Sequence, residues 1–416
     1  MSIPSAVARC DDRRGEQPNK SAWLQFIKSI ATFKGDLTAL TAPPFLLAPQ
    51  SIVEYSTYWA EHPSLFVSPA KESCADKRAL RVLQWFLSTL KHQHAGKDEN
   101  GKRKRMKPLN PFLGEIFLGK WQDHSGTTHL VSEQVSHHPP ATAFRVWNDT
   151  HGIKLEGHVA PKAYFSSTVN IDRKGYSIMH IDEYEEDHWI TMPKVHVEGL
   201  MTFQIAPELS GVSYIRGSSG YTSRVHYSSK GWLRGKSNSF VATLYLDHDE
   251  ENPLYVLEGQ WSHAYTIRTG MGELLETIDL SSLQRTPLQV DPVGLQHPLE
   301  SRRAWKRVVD AINSGDFFTA SQEKSKIENA QRALRKLERD TGETWRRRYF
   351  SQACEDPVAE KLSIKSRAGE ADGHDRMIWK FDEKKFSKIV EAQRNGIKSP
   401  THDRFELGVE FVGVET

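Results

Sequence analysis

The stretch FRVWNDTHGIKLE, residues 144–156, decides the fold expected for this chain of 416 residues. Apolar and polar side chains alternate in residues 144–147 and again in residues 153–156, which is the period of a strand with one buried face. Between them, residues 148–152 are rich in turn-forming types and end in glycine. The stretch therefore predicts two antiparallel strands joined by a short turn.

Similar runs continue on both sides, from about residue 112 to residue 267. Residues 240–244 alternate in the same way, and turn signals at residues 172–175 and 229–231 fit the spacing of roughly 8–12 residues expected in antiparallel meanders. No alternation of strands with helices is visible, so a parallel sheet is not expected. This number of strands predicts a large barrel or sandwich, and a large barrel encloses a cavity.

Helical patterns flank the strands. Trp23, Phe26 and Ile30 recur at helical spacing within residues 21–33, which predicts a short amphipathic helix that either packs on the core or acts as a mobile lid. Other helices are predicted at residues 76–91, with Asp76 as its cap, at 301–313 and at 322–340.

The composition limits the classes of function. Lys and Arg number 55 and Asp and Glu 53, so the net charge of +2 provides no general attraction for nucleic acid. Three separated cysteines indicate a reducing compartment, and we find neither a signal sequence nor a run long enough to span a bilayer. We expect a cytosolic protein that meets membranes only peripherally, through basic segments such as residues 102–107 and 346–348.

The octapeptide EQVSHHPP, residues 133–140, predicts a binding site. At the end of a strand, the imidazoles of His137 and His138 can both turn toward one ligand, and the two prolines that follow restrict the backbone. Paired imidazoles suit a phosphate or a metal ion. The alternative is two surface histidines beside a turn.

Two further elements carry cationic groups. In KPLNPFLGE, residues 107–115, Lys107 offers a point charge and Asn110 an amide donor. Lys324, Glu328 and Arg332 follow one another at intervals of four residues on a predicted helix. Taken alone, these elements suggest a loop and surface ion pairs; beside the histidines, they favour a phosphate site.

We find no serine nucleophile elbow, zinc-ligand motif or phosphate-binding loop of the Walker type. An enzyme that uses His137 or His138 as a general base together with Glu133 is therefore a minor alternative, and we expect no catalytic residues, metal ion or cofactor.

At the octapeptide the chain resembles the oxysterol-binding protein family. The resemblance continues in residues 107–115, in GQWS at 259–262, in HPLESR at 297–302 and in Gln331-Arg332, and it covers roughly residues 21–350. It implies a mainly β fold with flanking helices (α+β): an incomplete antiparallel β-barrel around a lipid tunnel, closed by an N-terminal helical lid. The chain resembles the short members of the family, which consist of the lipid-binding domain alone.

The resemblance also implies a division of the chain. Residues 1–20 are expected to be disordered, residues 21–350 to form the lipid-binding domain, and residues 351–416 to be a tail packed on it. Within the domain we expect segments with the following bounds: the lid at 21–42, a helical region at 43–111, the barrel at 112–267 and C-terminal helices at 295–342.

The function implied by the resemblance is exchange of a sterol, of the ergosterol or cholesterol type, for phosphatidylinositol 4-phosphate between membranes. His137, His138 and Arg332 are implied to hold the inositol phosphate. The other implied head-group residues, for the second phosphate and the inositol ring, are Lys107, Asn110, Lys324 and Glu328. We expect a monomer that binds anionic surfaces of Golgi, endoplasmic reticulum or other organelle membranes, and no nucleic acid.

The identity of the second lipid depends on the lid and on one pair of residues. Trp23, Phe26 and Ile30 resemble the lid of sterol-carrying members. Where those members have a Gln-Tyr pair that contacts the sterol hydroxyl, this chain has Gln93 and His94. Histidine can also bond a hydroxyl, which favours sterol; phosphatidylserine, or a sensor without net transport, are the alternatives.

Overall fold

The computed structural model describes residues 20–33, 35–40, 42–94, 107–199, 206–228, 237–342, 345–363 and 377–395. The helices within these ranges are α1 Lys20–Thr32, α2 Pro63–Phe66, α3 Ala75–His94, α4 Ser301–Ala304, α5 Lys306–Ser314, α6 Phe317–Thr341, α7 Pro357–Leu362 and α8 Glu383–Arg394. None of these described helices is both long and apolar enough to cross a membrane.

Seventeen strands lie in the same part of the chain. They are β1 Leu47–Ser51, β2 Lys107–Leu109, β3 Ile116–Asp123, β4 Gly126–His137, β5 Pro140–Asn148, β6 Ile153–Ser166, β7 Thr168–Ile181, β8 Glu186–Ile190, β9 Lys194–Glu198, β10 Ala206–Gly217, β11 Tyr221–Ser228, β12 Ser239–Leu246, β13 Tyr255–Gln260, β14 Ala264–Thr269, β15 Leu274–Asp279, β16 Phe350–Ala353 and β17 Ile378–Phe381.

Strands β3–β15 form one antiparallel sheet in which most strands pair with their neighbours in sequence. The opening stretch forms the predicted hairpin of β5 and β6, with Asn148 opposite Ile153, and the Asn148 side chain accepts a hydrogen bond from the His151 amide. The prediction of a mainly β, antiparallel fold with flanking helices is confirmed. The sheet continues to Asp279, beyond the expected end at residue 267.

One expected turn is wrong. Residues 172–175 lie within β7, and the β6–β7 hairpin turns instead at Ser167, which has a left-handed φ of 62°. Gly175 is needed for close packing: its φ is 115°, and a Cβ there would lie 2.1 Å from the His158 carbonyl oxygen. The turn expected at 229–231 falls outside the described residues.

The sheet curves around α3. One apolar cluster contains α3 side chains such as Phe86 together with Trp121 from β3 and Ile267 from β14, near the two ends of the strand order. A single cluster can include both ends only if the sheet wraps around the helix. The free edge of β3 is covered by another segment, since Lys120 and Gln289 exchange both backbone hydrogen bonds, at 2.9 and 2.8 Å.

A buried ion pair fixes the start of α3 to the sheet. Arg78 donates from Nε and Nη2 to Glu186 at 2.7 and 2.5 Å, and its Nη1 bonds the carbonyl oxygens of Glu72 and Ser73. The expected cap, Asp76, lies in the first turn of α3 instead and accepts a bond from the Tyr255 hydroxyl at 3.0 Å.

The opposite face of β3–β5 is covered by C-terminal elements. Along β4, Leu130 joins the cluster around α3, whereas Val131 joins a second cluster with α5, α6, β16 and β17. The helix expected at 301–313 is divided at Trp305 into α4 and α5. Helix α6 begins at Phe317, earlier than expected, because Asp316 caps it and accepts a bond from the Thr319 amide at 3.0 Å.

Helix α1 confirms the helical pattern of the N-terminal segment. Trp23 and Ile30 are buried, and Ile30 packs with Leu37 and Ala163 at the tip of the β6–β7 hairpin. Asp36, just after the helix, accepts a bond from the Ala163 amide at 3.0 Å. The helix is therefore packed on the sheet in this structure, and its role as a lid remains a prediction.

Candidate functional site

The paired histidines lie where β4 ends. The register of β4 against β5 shifts between Gln134 and Ser136, so the strict alternation of the strand is broken just before the pair. The rings of His137 and His138 are consequently neighbours, with centroids 4.7 Å apart in an edge-to-face arrangement. His137 is half-buried and His138 is exposed.

His137 faces a small pocket between β4 and α6. The residues that line this pocket are Leu113, His137, Gln331, Leu334, Arg335, Glu338 and Trp345. Within the described part of the chain, the buried Nδ1 of His137 and the buried Nε2 of Gln331 have no hydrogen-bond partner. Burial, followed by the nearby His138 and Arg335, lowers the pKa of His137 to about 4. Two unsatisfied polar atoms in one pocket indicate a place for a ligand.

Arg335 is a site residue that the sequence reasoning missed. Its Nη1 lies 2.7 Å from Nε2 of His138. Because a guanidinium group can only donate, the His138 nitrogen accepts, and the ring is neutral in this arrangement. Burial and the charge of Arg335 both lower the pKa of His138. The contact adds a fixed positive charge to the histidine pair.

Helix geometry explains why Arg335, not Arg332, contacts the histidines. At about 100° per residue, Arg335 lies about 20° around α6 from Lys324, whereas Arg332 lies about 80° away. Arg332 is 63% exposed and pairs with Glu328 at 3.8 Å, and its Nη1 donates to Asn329 at 2.7 Å. Arg332 therefore points away from the histidines, and its phosphate contact stays a prediction.

Lys107 on β2 and Lys324 on α6 lie near each other and form a second group of charges in the candidate site. Lys324 pairs with Glu328, as the spacing predicted, while the Lys107 ammonium donates to the carbonyl oxygen of Leu40, in the segment that follows α1. Burial and the neighbouring charge of Lys324 lower the pKa of Lys107 to about 8. The two neighbouring ammonium groups repel each other, and a phosphate placed between them would relieve this repulsion. Asn110 lies half-buried at the end of the same segment.

A tight turn fixes this segment to the histidine strand. The Gly114 amide donates to the Gln134 carbonyl oxygen at 2.9 Å, and the Gln134 amide donates to that of Glu115 at 2.8 Å. Gly114 has a φ of 82°, and a Cβ there would lie 2.4 Å from the Trp345 ring. Lys107, Asn110 and the histidines are therefore held on one scaffold.

Glu133 serves the structure of the site. It is fully buried and accepts hydrogen bonds from the backbone amides of Arg348 and Tyr349 at 2.6 and 2.8 Å. Burial raises its pKa to about 7, although these bonds oppose the shift. Its oxygens hold the C-terminal segment on β4, which argues against its assignment as partner of a histidine general base.

Two of the three arginines at residues 346–348 also make contacts within the protein, and the membrane-binding role of this basic segment stays a prediction. Arg347 donates to the Val135 carbonyl oxygen at 2.7 Å and lies over the Trp379 ring, and Arg348 lies over the Tyr349 ring. Arg346 alone of the three is exposed. Of the other basic segment, only Lys107 lies within the described residues.

The residues predicted to contact the second lipid form a separate group. Gln93 and His94 are at the C-terminal end of α3, inside the curved sheet, where His94 lies edge-to-face with Trp261 at 6.1 Å. The Gln93 Oε1 is buried without a hydrogen-bond partner among the described residues. In α1, the rings of Trp23 and Phe26 are 6.2 Å apart. Gln93 and His94 thus lie in the interior, whereas the lid candidates Phe26 and Ile30 belong to clusters outside it.

Comparisons with known proteins agree on one family. The family model described as oxysterol-binding protein matches residues 23–310. The chain is 47% identical over 361 residues to the probable transporter efuK of Hormonema carpetanum, which covers 85% of this chain and 52% of that protein. It is 42% identical over 359 residues to protein kes1 of Schizosaccharomyces pombe, which covers 85% of this chain and 92% of that protein.

Solved structures have the same fold. The Osh1 ORD domain in complex with ergosterol superposes with a TM-score of 0.71 at 18% identity, over 94% of this chain and 92% of that one. The Osh3 ORD in complex with PI(4)P from Saccharomyces cerevisiae gives a TM-score of 0.62 at 18% identity, over 82% of this chain and 90% of that one. At this identity the likeness concerns the fold.

Proposed function

We propose that this chain, which belongs to the oxysterol-binding protein family, is a lipid transfer protein that exchanges a sterol for phosphatidylinositol 4-phosphate between two membranes. The observation that carries the proposal is the unsatisfied Nδ1 of His137 in a pocket that Arg335 also lines. Such a pocket offers hydrogen bonds and positive charge to a phosphate. Solved relatives of the same fold have ergosterol and PI(4)P bound, which supports the same pair of lipids here.

The head group is proposed to lie between the strand end and α6. His137, His138 and Arg332 hold the inositol phosphate in this proposal, and Arg335 joins them. Lys107 and Asn110 hold the second phosphate, and Lys324 and Glu328 hold the inositol ring. Each charge-assisted hydrogen bond of this kind is worth about 1.5–3 kcal/mol.

Both lipids are proposed to occupy the interior between α3 and the sheet, and therefore to compete. Moving apolar lipid surface out of water contributes about 25 cal/mol per Å². Gln93 and His94 lie in this interior and are assigned to the sterol hydroxyl. Helix α1 is the proposed lid, and the bond from Lys107 to the Leu40 carbonyl links the segment that follows this helix to the head-group site.

Residues 21–350 are the proposed lipid-binding domain. The proposed location is the cytoplasmic face of Golgi, endoplasmic reticulum or other organelle membranes. Membership of the family indicates lipid binding and not catalysis. Phosphatidylserine as second cargo, or a sensing role without transport, remain the alternative proposals.

A transfer assay with two liposome populations tests the proposal. Donor liposomes carry a fluorescent sterol, and acceptor liposomes carry phosphatidylinositol 4-phosphate. We expect sterol transfer to accelerate when the phosphoinositide is present and to be matched by movement of phosphoinositide in the opposite direction. Extraction of both lipids without any transfer would favour the sensor, and movement of labelled phosphatidylserine instead of sterol would favour the other exchanger.

Replacing Arg335 tests the residue that the sequence did not reveal. We expect Arg335→Ala to weaken phosphatidylinositol 4-phosphate binding about 10-fold, because one charged donor beside His138 is lost. Binding is measured by extraction from labelled liposomes. Arg339→Ala removes the same kind of side chain from an exposed position of α6 and is the matched control. Equal binding by both variants would remove Arg335 from the site.

The histidines predict a pH dependence. The pKa of His137 is about 4, and a bound phosphate would raise it, so binding takes up a proton. Affinity should therefore rise as pH falls from about 8 to about 6, by at most tenfold per pH unit. His138, Arg335 and Glu328 also face the group, and the phosphate itself loses charge in this range. The contribution of His137 is the difference between the pH profiles of the wild type and His137→Gln, and identical profiles would contradict it.

A further inference from the structure

Strand β7 places an arginine on the inner face of the sheet. Met179 and Ile181 belong to the apolar cluster around α3, and Ile171 packs against it. The pairing of β7 with β6 is continuous from Ile153 to Ser166, so every second residue of β7 faces the same side. Arg173 shares this face, and its charge interacts with Tyr227, a member of the same cluster.

The guanidinium group of Arg173 is incompletely satisfied. Its Nε donates to the Pro193 carbonyl oxygen at 3.0 Å. Its Nη2 is buried and has no hydrogen-bond partner among the residues that the structure describes. Buried polar groups are nearly always paired in folded proteins, so the free N–H indicates an absent acceptor.

The charge of Arg173 is also unbalanced within the described residues. The neighbouring carboxylate, Asp172, faces the other side of β7 and lies 3.5 Å from the Lys194 ammonium. The phenol of Tyr227 donates to Ser213 at 3.2 Å and is neutral near pH 7, because burial raises its pKa. Burial lowers the pKa of Arg173 to about 10, which still leaves the guanidinium charged near pH 7. Arg173 is half-buried and its Nη2 is fully buried, so a guanidinium in this position without a described counter-charge calls for an anion.

We propose that Arg173 binds the carboxylate of a lipid cargo, so that the interior accepts, besides the sterol, a lipid with an apolar body and one acidic group. The inference rests on the proposed function, because it concerns the cargo that shares the interior with the phosphoinositide. A guanidinium offers the planar, charged donors that a carboxylate accepts best. A hydroxyl would satisfy the free N–H but leave the charge unbalanced.

Two matched ligand pairs test the inference, and they distinguish a polycyclic cargo from an acyl-chain cargo. The first is cholenoic acid and its reduced alcohol, and the second is oleic acid and oleyl alcohol. Each is used to displace a fluorescent sterol from the wild-type protein near pH 7.5. We expect an acid to bind about 10-fold more tightly than its alcohol in at least one pair, and the pair with the larger ratio identifies a polycyclic or an acyl body.

Variants assign the preference to Arg173. Arg173→Gln should abolish it, Arg173→Lys should retain part of it, and Lys162→Gln, which removes an exposed charge from the adjacent strand, should leave it intact. Arg173→Gln should still extract phosphatidylinositol 4-phosphate, which shows that it is folded and that the head-group site is separate. If Arg173→Gln does not extract phosphatidylinositol 4-phosphate, the acid preference of Arg173→Lys is compared with that of the wild type, and an unchanged preference overturns the role of Arg173.

The outcomes distinguish this inference from the proposed function. A wild type that extracts the phosphoinositide but binds acids and alcohols equally overturns the role of Arg173 alone. Persistence of the preference in Arg173→Gln also overturns it. A wild type that extracts neither phosphoinositide nor sterol overturns the proposed function, and the inference with it.

Discussion

Replacing His137 and His138 together with alanine is expected to reduce extraction of phosphatidylinositol 4-phosphate about 100-fold. Each imidazole offers a charge-assisted hydrogen bond to the phosphate, and two such bonds are worth about 3 kcal/mol or more together. The variant also removes the unsatisfied Nδ1 of His137 from the pocket. The measurement is the amount of labelled phosphoinositide that the protein removes from liposomes at increasing protein concentration.

The same variant should keep its sterol binding, because Gln93 and His94 lie in the interior at the end of α3. His124→Ala, at an exposed position in the turn between β3 and β4, is the matched control and should extract both lipids normally. Loss of sterol binding together with phosphoinositide binding would indicate damage to the fold. Normal phosphoinositide extraction by the double variant would show that the head-group assignment is wrong.

The Glu186→Ala variant is expected to lose about 3–5 kcal/mol of its free energy of unfolding, because it leaves the buried Arg78 guanidinium without its counter-charge. Burial alone would raise the pKa of Glu186, but hydrogen bonds from His188, Ser219 and Arg78 lower it to about 2. The stabilisation is therefore present above the unfolded pKa of about 4.3 and is lost as pH falls toward 2. Urea unfolding followed by tryptophan fluorescence measures it.

Two further variants check the cause. Glu183→Ala removes an exposed carboxylate three residues away and should change stability by no more than about 0.5 kcal/mol. Combining Arg78→Met with Glu186→Leu removes both charges and should recover part of the loss. If Glu186→Ala cost less than about 1 kcal/mol, the ion pair would not be what holds α3 inside the sheet.

The sequence predicts the antiparallel sheet well where strands have one buried face. The β5–β6 hairpin is an example, since its alternating pattern matches the observed pairing. Strand β15 escaped prediction because it is an edge strand whose Leu274 and Leu275 are both exposed, which removes the alternation on which the prediction depends. In β7 the polar run with Gly175 has the composition of a turn, although the glycine serves close packing between strands.

Prediction of the candidate site was limited by geometry that a motif does not contain. The spacing of Lys324 and Glu328 predicted their pairing, but only the rotation of α6 against β4 shows that Arg335 faces the histidines. The available signal was helical spacing. Gln331 and Arg335 lie seven and eleven residues after Lys324, and therefore on nearly the same face of α6. Arg173 could not be found, because the sequence does not reveal which phase of β7 faces inward.

The hydrogen bonds of Glu133 have a practical consequence for defining a minimal lipid-binding fragment. Its carboxylate holds the amides of Arg348 and Tyr349, and Arg347 bonds the strand that carries the histidines. The family model ends at residue 310, before α6 and before residues 347–349, which make these bonds. A fragment cut at that boundary would keep all of the sheet β3–β15 but lose Lys324, Arg335 and the support of the histidine strand. A fragment intended to preserve phosphoinositide recognition should therefore extend at least through β16 and its partner β17.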